Sequence, residues 1–123
     1  MQFHNQTAIY LQIAEYIGEQ ILAQNWKPDD KVPSIRELAV QLEVNPNTVQ
    51  RTYDFLQTRE VIYTKRGLGY FVTLNGETNY LNWRREQFMT NELPLFFKQV
   101  SMLRLDFEQL KAQYEAFLNP TQV

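Results

Sequence analysis

The 123-residue sequence has no cysteine, a single histidine and only four glycines. Without cysteine there are no disulfides and no thiolate metal sites, and one histidine cannot build a multi-histidine zinc centre. No apolar run approaches the roughly 20 residues that span a bilayer. The opening MQFHNQTAIY lacks a basic stretch followed by an apolar one, so neither a secreted precursor nor a membrane protein is expected, and a reducing cytoplasmic setting fits. Internal repeats and low-complexity stretches are absent. His4 stands near the chain start, no pair of carboxylates has a compelling setting, and no serine has a base within sequence reach. An enzyme is therefore not expected, and nothing calls for a metal or cofactor. Positive charge is also scarce: 12 Lys and Arg stand against 14 Asp and Glu, a net charge of −2. A nucleic-acid-binding domain is usually basic, and the chain as a whole is not. Its charge is uneven, however. Residues 1–43 carry a net −3, residues 44–73 a net +2 and the remainder a net −1. The sign reverses in one segment only.

What the sequence does contain is material for a core, with 44% hydrophobic and 14% aromatic residues. Its length suits one domain, or a small domain with an appendage. Ile9, Ile13, Ile17 and Ile21 recur every four residues, the stripe of an amphipathic helix from Ile9 to about Gln24. Thr7 is a candidate cap, Asn25 a candidate left-handed terminator, and Gly18 inside the helix suggests a close packing contact. A turn at 27–30 leads to a short extended piece at Lys31–Pro33, a candidate minor strand. Ser34 followed by Glu37 makes a capping box for a short helix with Ile35, Leu38, Ala39 and Leu42 on its inner side. Asn45 and Pro46 begin another helix, running to about Arg59, with Val49, Thr52 or Tyr53, and Leu56 facing inward. Two capped helices separated by a short turn are a helix-turn-helix. Residues 61–65 and 70–73 are rich in β-branched and aromatic residues and flank Arg66-Gly67-Leu68-Gly69, a hairpin. The fold class expected is mostly α with a small β-hairpin: a winged helix-turn-helix over residues 1–75. A polar hinge at 75–79 then leads to a C-terminal helical dimerisation region over 76–123, with breaks near Asn91–Pro94 and Leu105 and a capping signal at Asp106 and Gln109.

Residues 80–118 hold eight of the 17 aromatic residues. Two or three short helices on a small domain cannot cover that much apolar surface, and burial is worth roughly 25 cal/mol per Å². A second copy of the chain is the economical cover. Candidate dimer residues are Leu81, Phe88, Leu95, Phe96, Val100, Leu103, Phe107, Leu110, Tyr114 and Phe117. Wrapping of the tail around the N-terminal domain, or a pocket lined by these aromatics, are the other uses of the same residues.

A winged helix ordinarily sets its second motif helix in the major groove of DNA and its hairpin across phosphates or into the minor groove. The first exposed turns of that helix carry Asn47, Thr48, Gln50 and Arg51, side chains suited to base edges or phosphates. Ser34 and Asn45 stand at helix N-termini, where phosphates are favoured. Arg36 lies in the first turn of the preceding helix, and Lys65, Arg66 and Gly67 form the tip of the wing. Each residue also has a structural use. Ser34 and Asn45 cap helices, Arg51 is spaced to pair with Asp54, Gln50 is suited to solvent, and a basic hairpin tip protects a sheet edge. The pattern in register, rather than any one residue, points to double-stranded DNA.

Four segments carry a family resemblance: Ile9-Tyr10-Leu11-Gln12-Ile13, Val32-Pro33-Ser34-Ile35-Arg36-Glu37-Leu38-Ala39, Val44-Asn45-Pro46-Asn47-Thr48-Val49, and residues 63–72 (YTKRGLGYFV). In this order they resemble the DNA-binding domain of GntR-family bacterial transcriptional regulators, over about residues 7–73. The helical tail, with Trp83-Arg84-Arg85 and Glu92-Leu93-Pro94, resembles that of the short YtrA-type subgroup. The resemblance implies contacts to phosphates and bases from Arg36, Asn45, Asn47, Thr48, Gln50 and Arg51, and wing contacts around Gly67. It also implies a homodimer on two inverted half-sites, with regulation of neighbouring transporter genes as the subgroup's common role. No small-molecule effector is indicated. Asn25, Asp29, Glu43 and Glu60 replace four of the family's usual glycines. Glu bears a cost of roughly 1 kcal/mol or more in a left-handed conformation. A rival use of the same fold is a protein-interaction module with an incidental basic wing.

Overall fold

The computed structural model describes residues 7–120, so His4 lies outside the described residues. Helix α1 (Ile9–Leu22) is followed by α2 (Ile35–Leu42) and α3 (Pro46–Thr58). Strands β1 (Ile62–Lys65) and β2 (Gly69–Val72) form an antiparallel hairpin in the register Ile62–Val72, Tyr63–Phe71, Thr64–Tyr70, Lys65–Gly69. Helix α4 (Gly76–Gln87), a π-helical turn at Phe88–Glu92, α5 (Leu93–Met102) and α6 (Phe107–Leu118) complete the chain. Two compact units result, dividing between Arg84 and Arg85.

The first unit is built around the stripe of α1. Ile13, Ile17 and Ile21 are buried, whereas Ile9 is half exposed. They meet Leu38, Ala39 and Leu42 of α2, Val49, Tyr53 and Leu56 of α3, and Val61, Ile62 and Val72 around the hairpin. Both Thr52 and Tyr53 turn inward. The Thr52 hydroxyl donates to the Tyr10 carbonyl at 2.8 Å, and the Tyr53 hydroxyl to the Pro33 carbonyl at 2.6 Å. These bonds satisfy the buried polar atoms while fixing α3 to two other segments. Residues 31–33 do not form a strand. One bridge, Lys31 to Phe71, holds them to the outer edge of β2, with the Val32 N–H donating to the Tyr70 carbonyl at 3.0 Å, and the chain turns into α2 at Ser34 before the ladder can extend.

The core does not close at the hairpin. Tyr80 and Trp83 of α4 are 3% and 5% exposed and belong to the same cluster as the isoleucines. The first unit thus runs past the hinge at 75–79, and these two aromatics are not free for a partner. The reason is Gly18: a Cβ there would fall inside the Tyr80 ring, so the bare backbone of α1 is the seat for that side chain. Arg84 adds an ion pair to Glu15 at 2.9 Å.

Two helix ends differ from the sequence expectation. Thr7 does not cap α1; Ala8 occupies the N-cap with no side-chain bond, and the Thr7 carbonyl accepts from Gln12 instead. Gln24, at φ 64°, takes the left-handed step expected of Asn25, whose side-chain amide bonds Gln20 at 2.9 Å.

In the second unit, the break expected near 91–94 is a π-turn. Pro94 lacks an N–H and its ring excludes the carbonyl four residues back. The chain widens before it, with the Leu93 N–H donating to the Phe88 carbonyl five residues earlier. Asp106 caps α6 by accepting from the Glu108 N–H at 3.2 Å, without a side-chain contribution from Gln109. No residue of the π-turn, α5 or α6 is buried.

Candidate nucleic-acid interface

The two helices of the motif are set by their caps. Ser34 and Glu37 form the full reciprocal capping box, at 3.1 Å and 2.9 Å. The Ser34 N–H, then its hydroxyl, hold the Glu37 carboxyl below its usual pKa. Asn45 accepts from the Asn47 N–H at 2.8 Å, and Pro46 starts α3. Between them Glu43 turns the chain at φ 56°, and Glu60 does the same after α3 at φ 58°. Asp29 is left-handed too, at φ 67°. Three of the four glycine replacements therefore keep the turn geometry that glycine would supply.

These caps leave a polar exposed surface on α3. Asn47, Gln50 and Arg51 are exposed and Thr48 is half-buried. Ser34 and Asn45 spend an acceptor on their own helices. Arg51 does not pair with Asp54. Its guanidinium lies 3.8 Å from the centre of the Tyr10 ring, a cation–π contact that carries it toward α1. Asp54 accepts instead from the Gln50 amide at 2.9 Å, so Gln50 is not simply solvated. The i+3 spacing allowed a pair with Asp54 as one use of Arg51, but could not show the aromatic ring on another helix.

Arg36 is exposed on α2 and forms no hydrogen bond or ion pair among the described residues. At the wing, Lys65 lies over the Phe71 ring at 4.8 Å, and Arg66 projects from the tip without a partner among the described residues. Gly67 has φ 78°, and a Cβ on it would meet nothing within 4 Å. Sequence reasoning missed Lys31. Its side chain runs beside Gly69, with Cε 3.0 Å from where a Cβ on that glycine would stand, and adds a third cation to the wing. The signal available was its position at the start of the extended piece at 31–33.

The candidate dimer residues are in the second unit except Leu81, which is half-buried on α4 in the first. Phe88, Leu95, Phe96, Leu103, Phe107, Tyr114 and Phe117 are 43–77% exposed, while Val100 and Leu110 are half-buried.

Two capped helices joined by a left-handed turn, then a basic-tipped hairpin, define a winged helix-turn-helix, a DNA-reading class. The chain belongs to the GntR family: the profile of bacterial regulatory proteins of the gntR family matches residues 9–72. It is 35% identical over 116 residues to the uncharacterized HTH-type transcriptional regulator YhcF of Bacillus subtilis, covering 94% of each chain. It is 43% identical over 72 residues to the HTH-type transcriptional repressor YtrA of the same organism, covering 58% of this chain and 55% of that one. A putative GntR-family regulator from Bacteroides thetaiotaomicron superposes at TM-score 0.75 with 39% identity, over 94% of this chain and all of the other. The DNA-binding domain of AraR in complex with operator ORX1 superposes at 0.53 with 27% identity, over 58% of this chain and 93% of that one. The chain is accordingly a DNA-binding transcriptional regulator and not an enzyme. Among the described residues no helix is long and apolar enough to cross a membrane.

Proposed function

We propose that the chain is a homodimeric repressor that binds an inverted-repeat operator. In this reading α3 enters the major groove and presents Asn47, Thr48, Gln50 and Arg51 to it. The N-termini of α2 and α3, through Ser34 and Asn45, lie against phosphates together with Arg36. Lys65, Arg66 and Gly67 of the wing, joined by Lys31, reach the minor groove. One observation carries it: in a chain of net negative charge, Arg36, Arg51, Lys65 and Arg66 have no ion-pair partner among the described residues. Cations left unneutralised beside so many carboxylates are available to phosphate oxygens.

The dimer is supported by the second unit, where no residue of α5 or α6 is buried and Phe96, Phe107 and Phe117 are exposed. A second copy is the symmetric cover for such a surface. Two linked half-site contacts also raise the modest affinity expected of a weakly charged interface. The repressor role follows the similarity to YtrA, a transcriptional repressor.

The test is selection of bound duplexes from a random pool, followed by a salt titration on the selected site. A recurring inverted repeat is expected, with log affinity falling linearly in log salt at a slope of about −0.9 per neutralised phosphate. Enrichment of no sequence, or affinity indifferent to salt, refutes the reading.

A further inference from the structure

Asp54 is the only acidic residue of α3, and it lies on the exposed face beside the residues offered to DNA. An acidic side chain there repels phosphates and needs another reason to be present. Its partner supplies one. Gln50 Nε2 donates to Asp54 Oδ1 at 2.9 Å. A carboxylate oxygen accepts and does not donate, so the contact determines which end of the Gln50 amide faces Asp54: nitrogen toward the carboxylate, Oε1 away from it. Arg51, the cation that would otherwise compete for the carboxylate, is held over Tyr10. Two of the side chains able to read bases are therefore pre-set by protein partners, one by a carboxylate and one by a ring.

We propose that Asp54 is a positioning residue that sets the base preference of Gln50, orienting its amide to read adenine and to reject guanine. The oriented amide offers an acceptor, Oε1, and the second hydrogen of Nε2. That acceptor–donor pair matches the N6 amine and N7 of adenine in the major groove. Guanine presents two acceptors there, O6 and N7, so Oε1 would face an acceptor and the Asp54 charge would add to the repulsion. An unrestrained glutamine can rotate its amide and lose that discrimination. Once the groove excludes water, the Gln50–Asp54 bond strengthens, because its solvent competitor is gone. This inference rests on the reading that α3 lies in the major groove.

The experiment uses the full chain and a random-duplex pool, with wild type, Asp54→Asn, Gln50→Ala and the double variant selected in parallel. Asparagine keeps the shape at 54 but can donate as well as accept, so it no longer fixes the amide. Wild type is expected to prefer adenine over guanine at one half-site position and its symmetry mate, by about fivefold or more. Asp54→Asn and Gln50→Ala should each reduce the preference at that same position to less than about twofold, and leave other positions unchanged. The double variant should match Gln50→Ala alone. Retention of the wild-type preference in Asp54→Asn overturns the proposal, as does a change at a position Gln50→Ala does not affect, or a base other than adenine at the shared position. If wild type enriches no motif, the DNA-binding reading falls first and the proposal with it. Circular dichroism checks that each variant is folded, and Asp54→Ser replaces Asp54→Asn should the latter not fold.

Discussion

At the scale of the residue, the structure separates side chains that hold the fold from those left over for a ligand. Arg36 has no partner among the described residues, so Arg36→Ala should leave the melting temperature unchanged within error. Operator affinity should fall, with the slope of the salt dependence reduced by about one phosphate; an unchanged affinity by mobility shift shows that Arg36 does not touch DNA. Gly18 is the opposite case. A methyl group there collides with the Tyr80 ring, which is buried and cannot swing into solvent. Overpacking costs roughly 1–3 kcal/mol, against a recovery of about 1 kcal/mol in helix propensity. Gly18→Ala should therefore be destabilising in urea denaturation; a neutral or stabilising result means the Tyr80 seat is softer than its geometry indicates.

At the scale of the element, the caps and periodicities of α2 and α3 were legible in the sequence because their signals are local. Ser34 with Glu37 and Asn45 with Pro46 act within one turn of helix, and the inward spacing of Val49 and Leu56 within about two. The site was less legible for the opposite reason. Tyr10 lies under Arg51 and Lys31 beside Gly69 through contacts between distant segments, which spacing cannot reveal. Spacing also misassigned Tyr80 and Trp83 to the tail, since only packing shows that α4 closes the first core. The turn after α2 presents a measurable cost. Glu43 stands at φ 56°, where a residue with a Cβ is disfavoured by roughly 1 kcal/mol or more. Glu43→Gly should raise stability by up to about 1 kcal/mol and the melting temperature by a few degrees, since glycine's greater freedom when unfolded takes back part of the gain. It also removes a negative charge from the turn of the motif, so operator affinity should not decrease. A lower melting temperature argues that the Glu43 side chain supports the turn.

At the scale of the molecule, two buried phenols tie stability to alkaline pH. Burial pushes Tyr80 up to about 12, and Tyr53, buried with its hydroxyl on the Pro33 carbonyl, is raised further. Unfolded tyrosine ionises near 10. A raised pKa in the fold means that the unfolded chain loses protons first, so stability is intact below about pH 10 and declines above it. Melting temperatures followed between pH 8 and 11.5 should be level and then fall, with tyrosinate absorbance appearing as the chain unfolds; a fall beginning below pH 9 assigns the loss to other groups. The division into two units bears on assembly as well. A chain ending after Thr73 loses Tyr80 and Trp83 from its core and should be poorly folded, whereas one ending after Gln87 keeps both. The longer truncation is expected to be folded, monomeric in sedimentation, and weak on an isolated half-site. A dimer at that length places the interface outside α5 and α6.

The Arg51–Tyr10 contact also gives the interface a built-in spectroscopic reporter. A guanidinium lying over a ring sits in its magnetic shielding cone, so the Arg51 Nε–H resonance should appear upfield of its usual place in the free protein. If Arg51 leaves the ring to meet DNA, that resonance returns downfield; if it binds from the stacked position, the shielding persists. A nitrogen-edited spectrum of the isotopically labelled protein, recorded with and without a duplex, therefore distinguishes a recruited arginine from a pre-aimed one, with no substitution on the reading surface.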